Sequence, residues 1–206
     1  MRAAIFSGRF PPGAPLRFQE LQALCGMSAS PVREALAKLV AEGLVEGEHN
    51  RGYRVTALTR EELDDLVRTR LLLETWMLTR SIEIGTEQWE VNLISALHLL
   101  LRLARKDDQD PRLMNEEWNT RHAAFHSALM GGCDSVIQQQ FCRQLYDRAD
   151  RYRRLSLAVE HGPRDIDGEH EAIAKAALDR DVARATGLLS DHYERTAAFL
   201  RRHLPD

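Results

Sequence analysis

Two histidines four residues apart, His122 and His126 in the stretch HAAFH, have the spacing in this sequence that best suits metal chemistry. On a helix, side chains at positions i and i+4 lie on one face a turn apart, so both imidazoles can reach one ion. A pair alone is a weak site, because protein zinc sites use three or four protein ligands. The interpretation therefore depends on whether further ligands exist.

Two more histidines are candidates for the same site. His170 in GEHEAIAKAAL and His192 in LLSDHYERT each fall near the edge of the apolar face of a separate predicted helix. Spacing leaves two interpretations open, since the four histidines could meet at an ion or could each be hydrogen-bonded in place. A histidine site with an open position could also activate water, so the alternative function is a metal-dependent hydrolase. Glu169 and Asp191 adjoin the ligands, but we expect them to point away, which leaves no clear general base.

The elements that would position these histidines form a helical domain, which we place at residues 58–206. A capping box at residues 59–62, TREE, marks its start. Apolar periodicity then predicts about six helices: residues 63–84, 86–105, 111–130 and 134–159, and two in the tail that divide near residues 179–181. The pattern is typical of an antiparallel all-α bundle, whose core can hold a ligand site. The aromatic residues expected in its core or pocket wall are Trp76, Trp89, Trp118 and Phe125.

Residues 1–57 predict a different domain. Two short helices, separated by a turn at Gly26, precede the alternating segment LVEGEHNRGYRVTAL, which has turn residues near its centre. On the second helix, Val32, Leu36, Leu39 and Val40 are predicted to share one face. Helix, turn, helix and hairpin is the order of a winged helix-turn-helix. The predicted fold class is therefore mostly α, an N-terminal winged helix-turn-helix followed by the helical bundle.

A recognition helix presents its first turn to base edges in the DNA major groove, where short polar and basic side chains are needed. The segment SASPVRE at the start of the second helix supplies them, and Arg33 can offer a bidentate fork to guanine. Arg51 at the hairpin tip could reach the minor groove or a phosphate. The alternative is that Arg33 pairs with Glu34 or Glu20 and that Arg51 is solvated. The candidate DNA-binding residues are Ser28, Ser30, Arg33, Arg51 and Gly52.

Composition adds only weak constraints. Residues 1–57 carry seven Lys and Arg against five Asp and Glu, and the other residues carry 21 against 26, so the excess of positive charge lies at the amino end. No window approaches the roughly 18 apolar residues of a membrane span. The three cysteines, Cys25, Cys133 and Cys142, form no CxxC pair and are expected to be reduced thiols. These features predict a cytoplasmic protein.

Five motifs follow one another in the first domain: Gly8, PPG at 11–13, SPVREAL at 30–36, EGLV at 42–45 and NRGYRV at 50–55. With them, residues 5–55 resemble the winged helix of GntR-type bacterial transcription regulators, which implies double-stranded operator DNA as partner. Ala29 stands where many relatives have a basic residue, so one DNA contact is expected to be missing. Four residues precede Ile5 where the family usually has most of a helix, so we expect a shortened or misassigned start.

The second domain carries Arg70-x-x-x-Glu74, FHSAL at 125–129, EHEAI at 169–173 and a histidine in the last helix. This pattern is similar to the FCD effector domain of the FadR-type branch, in which an aspartate and three histidines often hold a divalent metal. By position, His126, His170 and His192 match the three histidines, and His122 stands where the aspartate would be.

The exchange at His122 has two possible consequences. Loss of a carboxylate should favour borderline metals, zinc first and nickel second, over manganese, or it could abolish the site. The resemblance also implies that Arg70 faces the cavity and holds a carboxylate effector, whereas spacing alone would give an i,i+4 surface pair with Glu74. The further cations considered for the pocket are Arg121, Arg148 and Arg151.

Together these features predict a bacterial transcription regulator rather than an enzyme. One short recognition helix reads only a few base pairs, so a homodimer on paired half-sites is expected. The protein is expected to repress transcription and to release its operator DNA when a small organic acid, a dicarboxylate or hydroxy acid, binds at the metal. Hydrolysis by the histidine cluster remains the alternative.

Overall fold

The computed structural model describes residues 1–6, 8–48, 52–111, 113–159 and 164–205. Its first part contains three helices and a small sheet. The two predicted helices and the hairpin occur in the predicted order, and one short helix and one strand are additional. In chain order these elements are α1 (Arg2–Phe6), β1 (Pro15–Leu16), α2 (Phe18–Cys25), α3 (Ala29–Ala41), β2 (Val45–Glu48) and β3 (Gly52–Val55). We call this part the head.

The head folds around its own apolar cluster, to which α2 contributes Leu21 and α3 contributes Val32, Leu36 and Leu39. Gly26 ends α2 in the left-handed conformation, φ 61°, as a glycine after a helix C-terminus commonly does. The prediction for Val40 was wrong, because this side chain is exposed. It lies one position beyond the stripe that Val32, Leu36 and Leu39 turn inward.

The sheet confirms the predicted hairpin. Strands β2 and β3 are antiparallel, with Val45 opposite Val55 and Glu48 opposite Gly52. β1 adds a third strand on the other side of β3, and residues 49–51 at the predicted tip lie outside the described residues.

Six long helices among the described residues form the second part, which we call the bundle. They are α4 (Arg60–Ile84), α5 (Glu87–Leu100), α6 (Glu116–Leu129), α7 (Val136–Val159), α8 (Ile166–Leu178) and α9 (Val182–Arg201). Half of the predicted capping box is described at the start of α4, where the Thr59 hydroxyl accepts a hydrogen bond from the Glu62 amide at 3.1 Å. The Glu62 carboxylate accepts hydrogen bonds from Arg151 and Tyr152. The mostly helical fold class is therefore confirmed.

The bundle core lies between these helices and includes Met77, Phe125, Ile173 and Leu189, all inaccessible to solvent. The expectation for Trp76 was wrong, since half of this residue is exposed. Met77 and Leu78 turn inward at this level of α4, which leaves Trp76 on the outward side. Along the chain, the apolar cluster of the head ends with Val55, and the first buried residue of the bundle clusters is Leu58. The domain boundary after residue 57 stays a prediction.

Candidate metal and effector site

The structure brings all four candidate histidines together inside the bundle. His122 and His126 come from α6, His170 from α8 and His192 from α9, and one nitrogen of each ring lies within 4.8 Å of those of the others. All four side chains are buried. Facing helices thus supply a compact set of four nitrogen donors, as bundle metal sites require.

Hydrogen bonds to two of these rings define their tautomers. The Glu169 carboxylate can only accept, so Nδ1 of His192, 2.7 Å away, carries a proton. The Tyr193 hydroxyl donates to Glu74 and must therefore accept from Nδ1 of His126, at 3.2 Å. The Tyr146 hydroxyl lies 2.7 Å from Nδ1 of His122 and 3.4 Å from the Asn119 carbonyl, so it can donate to either and does not fix the tautomer of His122. Nε2 is consequently the unprotonated nitrogen of His126 and His192.

The Nε2 atoms of His122 and His126 face each other, 3.1 Å apart. Without a metal ion, a proton on Nε2 of His122 can bridge the pair as a hydrogen bond to Nε2 of His126. Zinc–nitrogen bonds of about 2.0–2.1 Å in a tetrahedron place neighbouring ligand atoms about 3.3 Å apart, which is close to the observed separation. The pair therefore has the geometry of two ligands of one ion.

The surroundings of His170 also suit a metal ligand. It is fully buried, and neither of its ring nitrogens has a hydrogen-bond partner within the part of the chain that the structure describes. Burial, with His192 close by, lowers the pKa of His170 to about 2, and burial likewise lowers the pKa of the other three histidines. All four are therefore neutral near pH 7, the form that binds metals.

Arg70 combines features of both interpretations offered by the sequence. It pairs with Glu74 one turn away, Nε to Oε1 at 2.7 Å, but the pair is buried rather than on the surface. Its guanidinium carbon lies 3.9 Å from the Tyr193 ring centroid, and the residue lines a cavity of about 50 Å³ beside His122, His126 and His192. The cavity has room for a few water molecules only.

Arg153 of α7 is the second cation of this cavity, and the sequence interpretation missed it. The three arginines named instead lie elsewhere: Arg121 pairs with Glu117, Arg151 with Glu62, and Arg148 is exposed. The available signal was helical spacing, because Ala149, Tyr152 and Arg153 occupy the i, i+3 and i+4 positions of one face of α7 and all line the cavity.

The carboxylates next to the ligands do not form a hydrolytic site. Contrary to expectation, Glu169 points at His192, and it also binds Arg164 and Arg195. Burial would raise the pKa of Glu169, but the hydrogen bonds from His192 and Arg164 outweigh it and lower that pKa well below its usual range. Glu169 thus orients a histidine, a role typical of a carboxylate beside a metal ligand. Asp191 is exposed.

In the head, the candidate DNA-binding residues of α3 are accessible at its amino end. Ser28 precedes the helix, Ser30 and Arg33 lie in its first turns, and all three are exposed. The described ion pairs place Glu34 with Lys38 and none with Arg33, whose guanidinium carbon lies 5.5 Å from the Phe18 ring centroid. Gly52 is exposed with φ 91°, and Arg51 lies outside the described residues.

A winged helix-turn-helix joined to a bundle with a buried donor cluster defines a two-domain transcription regulator. Residues 1–55 match the gntR family of bacterial regulatory proteins, and residues 65–195 match the FCD domain. The chain therefore belongs to the GntR family and carries an FCD domain, as the sequence motifs indicated. Proteins of this family regulate transcription and bind operator DNA, and they are not enzymes, so the hydrolase alternative was wrong.

Individual relatives agree with this assignment. The HTH-type regulator BphR of Paraburkholderia xenovorans is 35% identical over 98% of this chain and 82% of its own length. The HTH-type transcriptional repressor GlaR of Escherichia coli is 36% identical over 91% of this chain and 86% of its own. The structure of E. coli McbR/YncC covers 97% of this chain and 92% of its own, with a TM-score of 0.75 at 22% identity, which supports the fold. No described helix has the length and hydropathy needed to cross a membrane.

Proposed function

We propose that this protein is a cytoplasmic transcriptional repressor whose head binds operator DNA and whose bundle releases that DNA when a metal-associated organic acid binds. The observation that carries the proposal is the buried cluster of four histidines, in which the Nε2 atoms of His122 and His126 lie 3.1 Å apart and both ring nitrogens of His170 lack a hydrogen-bond partner among the described residues. Two relatives are named repressors, GlaR and the gluconate operon repressor of Bacillus subtilis, which is 28% identical over 89% of this chain.

Zinc is the proposed metal, with nickel second. Four neutral imidazoles without a carboxylate favour borderline ions over manganese. When bound, the ion would supply positive charge and a position at which a carboxylate oxygen can bind. Four nitrogen ligands already complete the tetrahedral set that zinc prefers in closed sites, so such an effector would need a fifth position.

The proposed effector is a small dicarboxylate or hydroxy acid. Arg70 and Arg153 bring two guanidinium groups to a cavity otherwise lined mostly by apolar side chains. Because the cavity of about 50 Å³ is smaller than an organic acid, binding must displace side chains. The effector-bound and effector-free states therefore differ in structure, which a ligand needs if it is to shift the DNA-binding equilibrium.

The experiment that tests this function first selects operator DNA from a random-sequence pool with the zinc-loaded chain. Citrate, malate, succinate and gluconate are then titrated into that complex, and at least one is expected to weaken DNA binding about tenfold or more. If none of them changes DNA affinity, the effector half of the proposal fails.

Arg70→Lys is expected to raise the effector concentration needed for release about tenfold, because lysine keeps a charge for Glu74 but loses the bidentate fork. DNA affinity without effector should be unchanged, as measured by fluorescence anisotropy. Arg68→Lys is the matched control, because Arg68 lies on the same helix but is exposed. An equal response in the two variants would contradict the role of Arg70.

A homodimer is part of the proposal, and the exposed apolar side chains of two adjacent helices support it. Helices α4 and α7 pack together, with Arg80 near Asp134 at one end and Glu62 near Arg151 at the other. The outward apolar residues of this pair are Leu72, Trp76, Val136, Ile137 and Phe141, each at least half exposed. Aromatic residues on such a surface are typical of protein interfaces.

Phe141→Glu is expected to convert the dimer to monomer at micromolar concentration, because it places a charge in an apolar interface. Analytical ultracentrifugation measures the change. Val91→Glu is the control, since Val91 is similarly exposed on α5. A monomeric wild-type chain, or a dimer in both variants, would exclude this interface.

A further inference from the structure

Helix α7 contacts both the effector cavity and the head through neighbouring residues. Tyr152 and Arg153 line the cavity beside the histidines. Arg151 donates from Nη1 to the Thr56 carbonyl at 3.2 Å, at the junction of head and bundle. The guanidinium carbon of Arg154 lies 4.3 Å from the ring centroid of Phe6, in α1 of the head. This segment therefore joins the two parts of the molecule.

Asp150 connects the cavity arginine with the head-contacting arginine. Its Oδ1 accepts from Nη2 of Arg153 at 3.1 Å, and its Oδ2 accepts from Nε of Arg154 at 2.8 Å. The side chain of Asp150 is 8% exposed. The remaining two nitrogens of Arg154 form a fork on Glu116 of α6, at 2.6 and 2.8 Å. One carboxylate thus holds two guanidinium groups that face different parts of the protein.

We propose that Asp150 couples effector binding to the position of the head, through competition for Arg153. This inference rests on the proposed function, because it requires an anion in the cavity. An effector carboxylate that engages Arg153 draws it from Asp150, which then keeps Arg154 of its two described ion-pair partners. The change alters the contacts that fix Arg154 on Phe6, and the head loses the arrangement that binds operator DNA.

The burial of Asp150 explains why such a competition has a discrete outcome. A buried carboxylate that loses one of its charged partners loses a large electrostatic stabilisation, so its surroundings must rearrange. On an exposed carboxylate, water molecules would replace the lost arginine and offset most of this loss. Arg153 bound to Asp150 and Arg153 bound to the effector are therefore two distinct states, which is the physical requirement for coupling between sites.

Arg153→Met tests the inference without an effector, because it removes the cation from Asp150 as a bound carboxylate would. We expect the zinc-loaded variant to bind the selected operator DNA about tenfold more weakly than wild type. Asp150→Asn is expected to show a similar loss, since it removes the charge that holds both arginines. The double variant should be no weaker than either single one, because both changes break the same link.

Arg143→Met is the matched control, since Arg143 is an exposed arginine of the same helix, and its DNA affinity should equal that of wild type. Metal content and helical circular dichroism show whether each variant remains folded. Wild-type DNA affinity in folded Arg153→Met, or losses that multiply in the double variant, would overturn the coupling. Failure of the wild-type chain to select any DNA would instead refute the proposed function.

Discussion

About one zinc ion per chain is expected in the purified untagged protein, and His126→Ala is expected to lose it. His126 is central to the cluster, because its Nε2 lies 3.1 Å from that of His122 while its Nδ1 is held by Tyr193. Alanine removes one of four ligands and leaves a gap between the other rings. Inductively coupled plasma mass spectrometry measures the metal content directly.

His98→Ala is the matched control, since His98 is an exposed histidine of α5 and should leave the metal content unchanged. Glu169→Gln should weaken metal binding about 10- to 100-fold, because it weakens the hydrogen bond that orients His192. Chelation should lower the Tm of the wild-type chain, as removal of any ligand specific to the folded state does. A metal-free wild-type chain whose Tm does not respond to added zinc would mean that the exchange at His122 has abolished the site.

The sequence predicted all four histidines as candidate ligands, but not the side chains that hold them. The pair His122 and His126 follows from local helical spacing. His170 and His192 were candidates because each falls near the edge of an apolar helix face, and the resemblance to the FCD domain then implied that they join the pair. Tyr146 and Tyr193 could not be predicted, because they lie 24 and 67 residues from the histidines that they contact. Side chains that hold a ligand from another helix leave no periodic signal of their own.

In the fold too, elements set by nearby residues were predicted, and an element set by distant residues was missed. The bundle helices were predicted because caps and apolar periodicity act within a few residues. The start of α6 was placed five residues early, since Asn115 caps the helix through its side chain while Pro111 does not begin it. Strand β1 was missed because its two residues are ordered by pairing with β3, some 40 positions away.

Arg33→Ala is expected to weaken binding to the selected operator DNA about 5- to 150-fold, the range for loss of one bidentate contact to guanine. Arg33 lies in the first turns of α3, is exposed, and forms none of the described ion pairs. Its guanidinium is therefore available to a base edge. Fluorescence anisotropy at fixed salt measures the loss, and selection from a random pool should show relaxed preference at one base pair of each half-site.

Lys38→Ala is the matched comparison, because Lys38 is an exposed cation in the last turn of the same helix and pairs with Glu34. A cation that contacts only phosphate contributes equally to all sequences, and its removal reduces the salt dependence of binding without changing the selected sequence. The two effects are separable, because Arg33→Ala loses base specificity whereas Lys38→Ala loses at most affinity for all DNA sequences. An unchanged base preference in Arg33→Ala would show that α3 contacts the DNA backbone and that another part of the head reads the sequence.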